Sequence, residues 1–235
     1  MKKYPIYILL LLLMVVGLTG CELFGLDFQK SYKYDDQVGL SDNQIKVSGW
    51  SFINSRTDLF SGLIDAVNYA GIDTNVFNNP NQTLLLVTNT GLTSNSATNL
   101  SYWYNHQIPD PTDPTGVRKI MPLSWDVYPK EQVRDLILYH IIQGQWSYME
   151  ISNATQGRAM YFQTLSNSAD GYVLVQIKRE GAMTIYFNNF PSHYKVDAKP
   201  RTPNLQLPNG AYVHVMDSYL DYPTDFDMTL FPIYK

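Results

Sequence analysis

The sequence predicts an α+β domain, on three observations. Two segments of the first half repeat apolar residues at helical spacing. A short run between them, Thr83–Val87, is apolar without interruption. The second half divides into short β-patterned runs separated by turn residues. Helix, strand, helix, then strands is the order of a domain whose helices cover a sheet.

The chain opens on Lys2 and Lys3, followed by an apolar run from Ile6 to Leu18 and then Leu18-Thr19-Gly20-Cys21. That run is too short to span a bilayer, which takes about 20 residues, and it has the length of a secretory h-region. A small residue before a cysteine completes a pattern that resembles the lipobox of bacterial lipoproteins. The expectation is a signal peptide over 1–20, with diacylglycerol on the Cys21 thiol and a further acyl chain such as palmitate on the freed α-amino group. More than one chain gives stable membrane anchoring. Glu22 is not the Asp associated with inner-membrane retention. The expected place is therefore the outer membrane of a Gram-negative envelope, surface-exposed. Residues 21–47 mix acidic, basic and isolated aromatic residues without a period, which reads as a lipid-anchored tether, with the domain over 48–235.

Ser55 to Ala70 is helical. Leu59, Leu63, Val67 and Ala70 recur at three or four, Asp58 can cap the start, and Gly71 sits where a C′ glycine stops a helix. Thr83–Val87 reads as a buried strand. Residues 93–127 are polar and irregular, with Tyr102-Trp103-Tyr104 and a Pro-rich stretch 109–114, and are expected to form a long loop. A second helix is expected over Lys130–Ile142, with Pro129 in its first turn and Gly144 at its end. Strands are expected over Ala159–Gln163, Tyr172–Lys178 and Met183–Asn188, the last two joined by a turn at Arg179-Glu180-Gly181. Along the middle one, Val173, Val175 and Ile177 face one side and Tyr172, Leu174 and Gln176 the other. Asn209-Gly210 is a hairpin-type signal before a last strand, Ala211–Asp217. The tail 221–235 ends in Leu230-Phe231-Pro232-Ile233, apolar enough to dock onto the domain.

Losing Lys2 and Lys3 takes the 17 Lys and Arg to 15 against 21 Asp and Glu, a net charge of −6. No basic patch appears, so nucleic acid is excluded as an expected partner. Cys21 is the only cysteine, so no thiol remains for a disulfide or a thiolate metal site. Eighteen tyrosines and four tryptophans suit wet binding surfaces, sugar-stacking platforms or half-buried sheet faces alike.

Three segments together resemble the fasciclin domain family. Thr83-Leu84-Leu85-Leu86-Val87-Thr88-Asn89-Thr90-Gly91-Leu92 is similar to the family's first box, with Val87 where the family has Pro before Thr-Asn and leucines in place of its aromatics. Leu138-Tyr139-His140-Ile141-Ile142-Gln143-Gly144 is similar to its Tyr-His segment, with Gln143 where Pro is common. Asn209-Gly210-Ala211-Tyr212-Val213-His214-Val215-Met216-Asp217-Ser218-Tyr219-Leu220 is similar to its second box, including His-Val-x-Asp. Phe60-Ser61-Gly62-Leu63 resembles its opening helix. The match covers residues 50–223, with a longer stretch than the family needs between Leu92 and Tyr139. The resemblance implies a β-sandwich or wedge of about seven strands with helices packed against it. It also implies an adhesion or binding role without catalysis.

For Tyr139 and His140 the pattern favours half-buried side chains bonded to backbone over an acid/base role. His214 and Asp217, three apart on a strand, point to opposite faces and do not form a catalytic pair; Asp217 is expected to accept backbone N–H bonds. Thr88 and Asn89 are read as shaping their turn. The histidines show no paired metal spacing, and Asp110-Pro-Thr-Asp113 is no calcium loop, so neither metal nor cofactor is expected. No nucleophile-elbow or phosphate-loop motif appears, and no enzyme is expected. The candidate ligand contacts are Tyr102, Trp103, Tyr104, Trp125 and Tyr128, either a stacking platform or plugs of the core. The functional expectation is a cell-surface binding or adhesion module for a glycan or an extracellular protein. The alternative is an accessory subunit of an outer-membrane nutrient-uptake complex, beside a TonB-dependent transporter; a hydrolase acting on a polysaccharide or peptide ranks behind both.

Overall fold

The computed structural model describes residues 22–23, 26–27, 43–95, 101–168, 171–180, 182–190, 198–221 and 231–234. The chain divides into two units, Met1–Asp42 and Asn43–Lys235. In the first, β1 (Glu22–Leu23) pairs antiparallel with β2 (Leu26–Asp27). Cys21, the signal peptide expected over 1–20 and, apart from those four residues, the tether up to 42 lie outside the described residues. Among the described residues, no helix is long and apolar enough to cross a membrane.

The second unit starts earlier than the expected boundary at residue 48. Gln44 bridges Gln206, the Ile45 N–H donates to the Gln206 carbonyl at 2.8 Å, and the Gln206 N–H donates to the Asn43 carbonyl at 2.9 Å. The helix expected over Ser55–Ala70 is two helices, α1 (Gly49–Ser55) and α2 (Thr57–Ala70), broken at Arg56. Asp58 does not cap: its carboxylate takes two hydrogen bonds from the Arg56 guanidinium, at 3.0 and 2.9 Å. Gly71 ends α2 in the left-handed region at φ 62°, as its place after the last apolar residue predicts.

A 3₁₀ turn (Thr74–Asn78) leads to β3 (Gln82–Val87), all six of whose residues are buried. Short helices α3 (Asn89–Leu92) and α4 (Tyr102–Asn105) follow. A two-stranded hairpin comes next, β4 (Ile108–Pro109) with β5 (Lys119–Ile120), and then a 3₁₀ turn at Trp125–Val127. The second helix, α5 (Lys130–Tyr139), stops three residues short of the expectation. The His140 ring bonds the Leu136 carbonyl at 2.7 Å at its last turn, and Ile141–Gln143 leaves as a strand, β6. Helix α6 (Tyr148–Thr155) starts on a capping box in which Ser147 and Glu150 satisfy each other's backbone N–H. The remaining strands are β7 (Met160–Gln163), β8 (Tyr172–Glu180), β9 (Ala182–Phe187), β10 (Pro200–Gln206) and β11 (Tyr212–Met216).

Two principal sheets result. One runs β10-β11-β3-β6, with β11 parallel to β3 and the other pairs antiparallel; the second is an antiparallel β7-β8-β9. Their seven strands and the accompanying helices make an α+β fold, as the sequence predicts. The sheets meet where Ile142 bridges Thr164 and the Leu165 N–H donates to the Ile141 carbonyl at 2.9 Å. One core takes Leu84, Val213 and Val215 from the first sheet and Phe162, Val173, Val175 and Phe187 from the second. The opposite side of β8 supplies Leu174 and Tyr172 to a smaller cluster with Tyr161, Phe190 and Phe231. Strict alternation along β8 therefore feeds two apolar clusters at once.

Candidate functional site

The three segments that carry the family resemblance become neighbours in one sheet, as β11, β3 and β6. Their polar residues tie the backbone together. The Thr88 hydroxyl donates to Asp217 at 2.8 Å, and Arg201 stands 3.5 Å from the same carboxylate oxygen. Asp217 thus holds a hydroxyl and a guanidinium where backbone N–H groups were expected. Asn89 inserts its carboxamide into α2. The Gly62 N–H donates to it at 2.8 Å, and its own N–H group reaches the Asp58 carbonyl at 3.3 Å and Ser61 at 2.9 Å. Gly62 N–H and Asp58 C=O are the pair a regular helical turn joins. Glycine leaves room there, since a Cβ on residue 62 would lie 2.9 Å from the Thr93 methyl group, which would have to shift. Asn89→Ala is expected to cost about 1–2 kcal/mol, because these groups lose their partner. A urea titration checks this, with a lowered midpoint and an unchanged slope.

Both box histidines are buried, and both their ring nitrogens are engaged. His140 bonds the Leu136 carbonyl through Nδ1, and its Nε2 accepts the Leu220 N–H at 2.8 Å. His214 lies 3.1 Å from the Trp146 carbonyl through Nε2, and its Nδ1 accepts the Asn204 N–H at 3.2 Å. One donated and one accepted bond fit the neutral ring, and burial pushes each ring down to about 4. The Tyr139 hydroxyl donates to the Tyr172 carbonyl at 2.9 Å and accepts from Asn188 at 2.8 Å. Asn188 sits at φ 51°, one of the few non-glycine residues in the left-handed region. These residues weld strand to helix, and none presents a reactive group to solvent.

The candidate ligand-stacking aromatics converge, but mostly inward. Tyr102, Trp125 and Tyr128 are 4 %, 3 % and 7 % exposed, so their rings offer no open stacking face; Trp103 and Tyr104 are half-buried. Tyr102 lies 5.7 Å from Trp125 and 5.6 Å from Tyr128, centroid to centroid, and Trp103 meets Trp125 edge-on at 5.4 Å. Three of their polar ends are occupied, while the buried Trp103 N–H has no hydrogen-bond partner among the described residues. The Trp125 N–H donates to the Gly62 carbonyl at 3.0 Å, Tyr128 donates to the His106 carbonyl at 2.6 Å, and Tyr102 accepts from Gln132 at 2.7 Å. Burial pushes the Tyr102 phenol up to about 12. The physical reason is area. Rings of this size gain most when packed together, and the tips of Tyr102, Trp125 and Tyr128 find partners inside.

What this cluster leaves outside is the hairpin. Asp110-Pro111-Thr112 and Asp113-Pro114-Thr115 form two successive turns. In each, the aspartate accepts both the N–H and the hydroxyl of the threonine two residues on, at 2.8 and 2.7 Å, then 2.9 and 2.7 Å. Proline fixes one dihedral of each turn. The other Asp113 oxygen takes the Arg118 N–H at 2.7 Å, and Arg118 pairs with Asp110 across the hairpin. The Thr115 hydroxyl, ahead of the Arg118 and Thr115 N–H groups, holds Asp113 down at about 2. The brace thus uses the carboxylates internally. Val117 and Ile120 stand on it and Leu123 and Val127 follow it, exposed by 79 %, 36 %, 94 % and 42 %. Half of the large hydrophobic residues exposed among those described fall in these eleven positions, and all four are aliphatic. Sequence reasoning read this stretch as irregular. The repeated Asp-Pro-Thr before Gly116 was the signal for an ordered turn.

The cavities do not compete with this surface. An apolar space of about 20 Å³ between Leu63, Leu85, Leu136 and His140 is far below ligand size. An open recess of about 400 Å³ is lined by Gln44, Ile45, Lys46, Gln206, Leu207, Pro208 and Gly210, with no aromatic ring among them. No cluster of metal-ligating side chains occurs among the described residues.

No protein-family profile matches the chain, and no curated protein does. Among solved structures it is similar to a FAS1 domain pair from the insect cell adhesion molecule fasciclin I, at 15 % identity and a TM-score of 0.43. The alignment covers 75 % of this chain and 46 % of that one, so the chain spans less than half the length of the structure it matches.

Proposed function

We propose that this chain is a lipid-anchored extracellular binding module of the fasciclin type, holding a protein partner through the hairpin and its flank, Ile108–Val127. The observation that carries the reading is the set of exposed aliphatic side chains on, and just after, a hairpin braced by its own turns. Exposed apolar surface rimmed by polar residues is characteristic of protein–protein contact. A braced loop also loses little conformational entropy when it binds. Sugar recognition calls for open aromatic faces ringed by polar groups, and here the aromatic faces are largely spent on the interior.

The fasciclin reading is supported by the adjacency of Thr83–Leu92, Leu138–Gly144 and Asn209–Leu220 in one sheet. The anchor is supported by Lys2, Lys3, the apolar run to Leu18, and Gly20-Cys21, and Glu22 favours the outer membrane. A non-catalytic role agrees with His140 and His214 spending both ring nitrogens on backbone.

The test is binding of the full chain to detergent-solubilised envelope proteins and, in parallel, to a glycan panel. The wild type is expected to retain a saturable protein ligand, and Val117→Ser with Leu123→Ser to weaken it about tenfold or more, since each buried aliphatic is worth about 1.5–3 kcal/mol. The same double variant should change stability by less than about 1 kcal/mol, as surface substitutions do. Glycan binding that ignores the double variant would overturn the reading. The retained protein's identity then separates an adhesion partner from an outer-membrane transporter.

A further inference from the structure

We infer that the edge of β7 beside Tyr161 is a strand-accepting site whose ligand is the C-terminal segment Phe231–Tyr234, and that a second copy of this chain can supply it. In the structure the chain fills the site itself. Tyr161 bridges Ile233 in parallel register, the Tyr161 N–H donates to the Pro232 carbonyl, and the Tyr234 N–H donates to the Tyr161 carbonyl, both at 2.9 Å. This is strand addition, in which main-chain bonds give affinity and side-chain pockets give selectivity. The pockets are aromatic. Tyr234 stacks on Phe162 at 5.3 Å and 5° and meets Trp146 edge-on at 4.6 Å, and Phe231 meets Tyr161 edge-on at 5.8 Å. The site therefore selects an aromatic–Pro–aliphatic–aromatic strand, and this chain's own end carries that sequence.

The occupant is lightly held. Ile233 and Tyr234 remain 36 % and 40 % exposed, and two main-chain bonds join the segment to Tyr161. Nine residues, 222–230, separate it from Asp221. Pairing within one chain acts at high effective concentration, so the closed form dominates in dilute solution. Exchange between copies keeps every contact and needs only comparable local density; two chains anchored side by side would supply it, a point that rests on the anchor reading above.

The experiment uses the full chain carrying Phe231→Ala and Tyr234→Pro, which removes both aromatic rings and the N–H that the segment donates. The probe is a synthetic peptide of residues 225–235. The wild-type peptide is expected to bind saturably with a change in tryptophan fluorescence that is absent when the recipient also carries Trp146→Phe. A peptide with the same two substitutions should bind at least tenfold more weakly. In parallel, sedimentation of the wild-type chain at about 1 mM should show dimer, and the substituted chain should stay monomeric. If the double variant loses its circular-dichroism signature, Tyr234→Ser alone is the recipient. No peptide binding by a folded recipient overturns the site. Peptide binding with wild-type chain that stays monomeric at that concentration overturns the second copy as its source. Neither outcome depends on the hairpin.

Discussion

Acidification from pH 6.5 to pH 4 is expected to lower the domain's stability by several kcal/mol, through two buried histidines. His140 and His214 are neutral in the fold, and burial holds both at about 4. The unfolded chain takes up the same two protons near 6.5. The unfolded state binds more protons over this window, so stability is complete above pH 6.5 and falls as pH drops. The loss levels off once pH passes below about 4. The gap is worth about 3 kcal/mol at each ring, and two rings approach the ~5–15 kcal/mol of a whole domain. Three paired carboxylates fall below this window. Asp58, Asp110 and Asp113 are held below 3.8, by the Arg56 guanidinium in the first case and by threonine hydroxyls in the other two, so their contributions fade only in stronger acid. Urea midpoints measured at half-unit steps should fall steeply across the window, and less so for His214→Gln. A flat profile from 6.5 to 4.5 would contradict the buried neutral rings.

Trp125→Ala is expected to destabilise the domain by about 3–5 kcal/mol, while Leu123→Ser, two residues away, should cost less than about 0.5 kcal/mol. The tryptophan is 3 % exposed and touches Tyr102, Trp103 and Tyr128, and its N–H bond to Gly62 ties the loop to α2; Leu123 is 94 % exposed. Equilibrium denaturation of the two variants measures the contrast. A stable Trp125→Ala protein that had lost only its binding would return the aromatic cluster to the role of ligand platform.

Elements with a strong local pattern were legible in the sequence. Thr83–Val87 is apolar throughout because β3 is covered on both faces, and Gly71 stops α2 because only its backbone reaches φ 62° without strain. Asn209-Gly210 marked the turn into β11, and Gly210 lies there at φ 92°. Elements whose reasons are tertiary were not. Apolar spacing carried the second helix through Ile142. The chain instead turns at His140, whose ring is fixed between Leu136 and the distant Leu220. Strand β10 holds Pro200 and Pro203 and pairs with shifts in register, so propensity hides it. Helix α6 carried its capping box in plain view at Ser147 and Glu150, without a long apolar period to announce it. The same limit applied to the site. Composition flagged the aromatics as unusual, but only packing shows that they turn inward and leave the aliphatic residues of the hairpin outside.

Photo-crosslinking from position 123 tests the central claim most directly. A benzophenone side chain replacing Leu123 in the full chain, irradiated in intact cells, should give one discrete adduct with an envelope protein. The same group at Met149, which is 62 % exposed in α6, should give none. Equal labelling from both positions, or from position 123 adducts with lipid or glycan but no protein, would contradict the hairpin as a protein-binding surface.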